Sequence, residues 1–113
     1  MDKRHLHIFW TTGEALTAEH MVLMYAANAK RNGWWDEVTV IVWGAAVRLL
    51  SEDEQVRFRV RESQEAGVKF TACRTCAERM GFVEDLRRMG VETILWGPPL
   101  TELLREHAPL LTV

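Results

Sequence analysis

The sequence predicts an α/β domain in three layers, α/β/α, around a mostly parallel sheet of four to five strands. Three observations lead there. Short runs rich in β-branched and aromatic residues alternate with segments of helical period. The second run, ending in Ile41-Val42-Trp43, is nearly continuously apolar, as in a strand covered on both faces. Parallel neighbours need a crossover of about a dozen residues, and the helical segments supply it. The 113 residues suffice for one core and not for two, so residues 1–113 read as a single domain.

His5 to Trp10 (HLHIFW) is the first strand, ended by Thr11-Thr12-Gly13. Thr17 is positioned to cap a helix. Ala18, Met21, Val22, Tyr25 and Ala29 then fall on one apolar face, and Asn32-Gly33 stops it. Glu37 to Trp43 is the second strand, punctuated by Gly44. Ser51 with Glu54 forms a capping box for a helix running to Ala66-Gly67. Val56, Phe58 and Val60 alternate there with Arg57, Arg59 and Arg61, the period of a half-buried strand. The cap and the need for a crossover decide for helix.

Val68 to Ala72 is the third strand, leading into Cys73-Arg74-Thr75-Cys76, within which a short helix begins that ends near Gly81. Phe82, Leu86 and Met89 mark a further helical face closed by Gly90. Glu92 to Trp96 is the fourth strand; after Gly97-Pro98-Pro99 a helix spans about Thr101 to His107, and Leu110 to Val113 adds a terminal strand. VIVWGAAVRLL and TILWGPPLTELL echo each other, which marks two similar strand ends and not a repeat protein.

Apolar residues make up 48% and charged ones 27%, an ordinary globular balance. The net charge of -2 provides no field to attract phosphate backbones or anionic lipid, so neither nucleic acid nor membrane is an expected partner. The start MDKRHLHIFW lacks the long apolar segment of a leader, and no stretch approaches the roughly 20 apolar residues of a membrane span, which predicts a cytoplasmic protein. In that compartment two cysteines three positions apart read as working thiols and not as a structural staple.

In an open parallel sheet ligands bind beyond the carboxyl ends of the strands, where loops and helix starts converge. Those ends are Trp10-Thr11-Thr12-Gly13, Trp43-Gly44, Ala72-Cys73 and Trp96-Gly97. The tryptophans either wall a pocket or cover the core beneath a loop, and the glycines let backbone amides approach a ligand. Cys73 is the sharper signal: a thiol where a strand hands over to a helix meets unpaired N–H groups, which are expected to lower its pKa. Arg74 and Arg79 are placed to stabilise an anionic sulfur.

Cys76 returns to the same side of the nascent helix, where it either resolves an oxidised or persulfidated Cys73 or packs inward as a small residue. A structural zinc site needs four ligands at characteristic spacing, and only one Cys pair is present. His5 and His7 share one face of the first strand and read as a solvent-facing or satisfied pair. Phosphate-binding glycine motifs are absent. Neither metal nor cofactor is therefore expected.

HIFWTTGE, VWGAAVRLLSEDE and above all AGVKFTACRTCAERMG resemble the DsrE/DsrF-like family of small sulfur-relay proteins, which includes the YchN and TusD types. The resemblance covers nearly the whole chain. It implies a Rossmann-like three-layer domain, assembled into homotrimers or homohexamers, with an Ala-Cys after the third strand whose cysteine accepts sulfur as a persulfide. That position is Cys73, and sulfur donor and acceptor proteins are the implied partners. Cys76 is not a general feature of that family. Two alternatives stay open beside the relay: a thiol–disulfide redox protein using Cys73 and Cys76, and a non-catalytic subunit binding a ligand or partner at the tryptophan-bearing edge.

Overall fold

The structure, a computed structural model, describes residues 4–113, so Met1–Lys3 of the charged start lie outside the described residues. Strand β1 (His5–Trp10) is followed by helix α1 (Ala15–Thr17), which runs through a π-helical stretch (Ala18–Leu23) into α2 (Met24–Arg31). Then come β2 (Glu37–Val42), α3 (Ala45–Glu52), α4 (Glu54–Glu65), β3 (Lys69–Cys73), α5 (Arg74–Met80) and α6 (Val83–Arg88). The chain ends with β4 (Glu92–Ile94), α7 (Gly97–Arg105) and β5 (Leu110–Thr112).

The five strands form one fully parallel sheet in the order β4-β3-β2-β1-β5. Strand alternation sorts its two faces. Leu6, Ile8 and Trp10 of β1 align with Val38, Val40 and Val42 of β2 and belong, with Phe70 and Ala72 of β3, to the main core. The opposite face carries Phe9 and Ile41, which form a smaller cluster with Trp96.

Connection handedness explains why the two faces are covered so unequally. From β1 to β4 each strand is added in the same direction, and right-handed crossovers therefore place α1 through α6 on one face. The connection from β4 to β5 travels back across the sheet, so the same hand places α7 on the other. The resulting three-layer α/β/α fold agrees with the sequence reading. One layer is thin: α7 has no fully buried residue, and its Leu104 is 56% exposed.

Several element boundaries differ from expectation. Glu14, not Thr17, caps the first helix: its carboxylate accepts the N–H groups of Leu16 and Thr17, each at 3.0 Å. The π-helical stretch then rotates the following turns, so that Leu23 and Ala26 face the core while Met21 is exposed. Ala45–Glu52 forms a helix of its own, in addition to those expected. Ser51 lies inside it with its hydroxyl donated to the Val47 carbonyl at 2.7 Å, and Asp53 caps α4 by accepting the Val56 N–H at 2.9 Å.

The alternating arginine segment is helical as expected, burying Val56, Val60 and Ser63 along one face. Strand β4 stops at Ile94, and α7 starts at Gly97, four residues before the expected Thr101, because Pro98 and Pro99 fit a first turn that needs no N–H donors.

Candidate functional site

The helices that follow β3 and β4 lie on opposite faces of the sheet. Strand β3 leads into α5 on the main-core side, and β4 leads into α7 on the other. The strand order of this sheet reverses between β1 and β5, and ligands in open α/β sheets bind outside the carboxyl ends of the strands. The residue closing β3 there is Cys73, aligned with Ile94 of β4.

Cys73 is both the last residue of β3 and the N-cap of α5. Its Sγ accepts the Cys76 backbone N–H at 3.4 Å, the contact a serine or aspartate oxygen makes at this position. Its side chain is nevertheless only 5% exposed. The expected lowering of its pKa therefore needs correction: burial, and after it the neighbouring Cys76 side chain, push the thiol up, outweighing the lowering by the backbone N–H groups of Cys76 and Thr75. Both cysteines are free, and Cys76 is half-buried.

A measurable consequence is the order of alkylation. Iodoacetamide at neutral pH is expected to modify Cys76 before Cys73, with the Cys73 rate still rising above the ordinary thiol pKa of about 8.5. Peptide mapping across a pH series reads both; a Cys73 midpoint below that value would overturn the assignment of burial as the dominant influence.

The tryptophan-bearing strand ends do not converge on one pocket. Trp10 is fully buried in the main core, its Nε1 donated to the Thr12 carbonyl at 3.1 Å. Trp96 is buried on the opposite side of the sheet, its Nε1 held by the Thr71 hydroxyl at 3.0 Å and its ring edge-on to Phe9 at 5.9 Å. Of the three, Trp43 alone lines an open cavity, about 370 Å³ in volume, together with Phe9, Thr11, Leu100, Leu104, Leu110 and Thr112.

The remaining expected site residues shape loops. Thr11 donates its hydroxyl to the Val113 carbonyl at 3.1 Å, and Thr12 accepts the Glu14 N–H at 3.2 Å. Gly13 passes so close to α3 that an added Cβ would meet the Ala45 Cβ at 2.9 Å. Gly44 has φ of 63°, which favours a residue without a Cβ at the turn into α3. Gly97 opens α7. Arg74 pairs with Glu78 at 3.6 Å on an exposed flank.

Sequence reasoning undervalued the other face of β1. His5 Nε2 lies 2.8 Å from the Thr39 hydroxyl, and the His7 ring stacks on His5 with centroids 4.1 Å apart. His7 Nδ1 is buried with no hydrogen-bond partner among the described residues, and the ring meets Trp96 edge-on at 6.5 Å. Burial, and secondarily the charge of His5, lower the His7 pKa to about 4. The signal in the sequence was the shared face of His5, His7 and Phe9; what it lacked was the position of α7. Among the described residues no group of three or more His, Cys, Asp or Glu is placed to hold a metal ion. None of their helices is long and apolar enough to cross a membrane.

These features define a Rossmann-like, fully parallel α/β protein with two free thiols where its third strand hands over to a helix. No protein-family model matches the chain, and no curated protein does. Among solved structures it is similar to the conserved protein of unknown function BT1422 from Bacteroides thetaiotaomicron, at 35% identity and a TM-score of 0.94 over 97% of this chain and 95% of that one. The chain belongs to the family of BT1422. It shares its fold with the protein of unknown function MTH1491 from Methanobacterium thermoautotrophicum, at 20% identity and a TM-score of 0.71 over 96% of this chain and 98% of that one.

Proposed function

We propose that the protein is a cytoplasmic sulfur-relay protein of the DsrE/DsrF-like kind, accepting sulfur as a persulfide on Cys73 and passing it to a partner protein. The observation that carries the reading is a cysteine that closes an interior strand and opens a helix at the carboxyl edge of the sheet, where its sulfur already accepts the Cys76 N–H. In the loading step the Cys73 sulfur attacks the outer sulfur of a donor persulfide. The Cys73–sulfur bond forms as the donor sulfur–sulfur bond breaks, and the Cys73 proton leaves with the donor thiol. Because burial raises the Cys73 pKa, the loading step needs a base on the donor to take the thiol proton as the sulfur attacks.

Intact mass after exposure to a persulfide donor tests this. Addition of one sulfur atom is expected on the Cys76→Ser variant and none on Cys73→Ser; equal loading of both variants, or loading of neither, sinks the relay. Loading of neither, with a ligand that quenches tryptophan fluorescence, points to a binding subunit instead.

The same reading includes assembly into a homotrimer or homohexamer, supported by the thinly covered α7 side with its exposed Leu104 and half-buried Trp43. Sedimentation of the whole chain at micromolar concentration is expected to report a trimer or a hexamer; a monomer removes this part.

A further inference from the structure

We propose that Cys76 is the resolving thiol of this site: it attacks the inner sulfur of a persulfide on Cys73, expels hydrosulfide and leaves a Cys73–Cys76 disulfide. This rests on the reading of Cys73 as the sulfur acceptor and adds a second outcome to it, in which a chain that meets no acceptor unloads itself.

The geometry follows from capping. Cys73 has the extended conformation of an N-cap residue, φ -64° and ψ 117°, and its sulfur accepts the N–H of the third residue onward. In a capping box the side chain at that third position reaches back toward the cap. Here that side chain is itself a thiol, and its contact with Cys73 is one of the influences raising the Cys73 pKa. Residues three apart on a helical turn also have the Cα spacing a disulfide requires.

Burial makes the pair asymmetric. Cys73 is 5% exposed, whereas Cys76 is half-buried beside it. Cys76 is already in place beside the Cys73 sulfur and carries the advantage of an intramolecular reaction over any acceptor arriving from solution. The step balances within the site. Cys76–SH and Cys73–S–SH give Cys73–S–S–Cys76 and H₂S: the Cys76 proton leaves with the expelled sulfur, which gains two electrons, and the two cysteine sulfurs become the disulfide. A small thiol or dithiol reductant then returns both cysteines to the free state.

Glutathione persulfide, removed by desalting after loading, is the probe, and sulfide release and intact mass are the readouts. The wild-type chain is expected to release one sulfide per chain and to end lighter by two hydrogens. Cys76→Ser and Cys76→Ala are expected to keep the added sulfur and to release at least tenfold less sulfide. Wild type that holds its sulfur as long as these variants do overturns the resolving role and leaves the relay standing. Absence of added sulfur from both Cys76 variants overturns the relay, and this inference with it. Failure of diamide to close a Cys73–Cys76 disulfide in the untreated wild-type chain overturns the resolving role without any persulfide chemistry.

Discussion

Replacing Trp10 by alanine is expected to cost about 3–5 kcal/mol of folding free energy, the range for deleting a fully buried tryptophan. The side chain is 0% exposed and lies among Ile8, Val42 and the other residues of the main core. Its loss also leaves the Thr12 carbonyl without the indole N–H that it accepts at 3.1 Å. A domain of this size holds about 5–15 kcal/mol in total, so Trp10→Ala should lower the melting temperature by roughly 10–20 °C or prevent folding at 37 °C. Trp43→Ala is the comparison: at the half-buried cavity wall it should cost about 1–2 kcal/mol. Urea unfolding followed by circular dichroism measures both. Equal costs at the two positions would contradict the division of the tryptophans between core and cavity.

The second large effect is loss of stability in acid, set by His7. Its pKa is about 4 in the folded chain and near 6.5 when unfolded. Between those values the unfolded chain binds the proton first, so stability falls as pH drops from about 6.5 to about 4 and is unaffected by this residue outside that window. The full shift, from 6.5 to about 4, corresponds to at most about 3.4 kcal/mol, reduced in proportion to the ring's remaining contact with water. His7→Leu should remove this part of the pH dependence. Unfolding midpoints at pH 7.5 and pH 4, compared between wild type and variant, isolate it from the carboxylates that titrate in the same range. Parallel losses in the two proteins would show that His7 is not the group responsible.

What was legible in the sequence depended on whether a pattern was local. The strand ending in Ile41-Val42 was plain because both of its faces are covered, and the same holds for Gly81 and Gly90, whose positive φ closes two short helices. Cys73 was legible as the end of one strand and the start of one helix, a relation between neighbouring residues. The start of α7 was misplaced because Pro98-Pro99 reads equally as a loop and as a first turn; the packing of Leu100 and Leu103 against Phe9 and Ile41 decides between them.

By itself, then, the sequence determined the alternating α/β order and the place of Cys73 in the chain. Only the tertiary structure decided how acidic that thiol is, which tryptophans are core, and that His7 is half covered. The reason is physical: amide capping acts over a few ångströms along one turn, whereas desolvation depends on what other elements bring over a side chain. The reversal of direction between β4 and β5, which brings α7 and Trp96 over one face of the sheet, leaves no periodic trace in either segment.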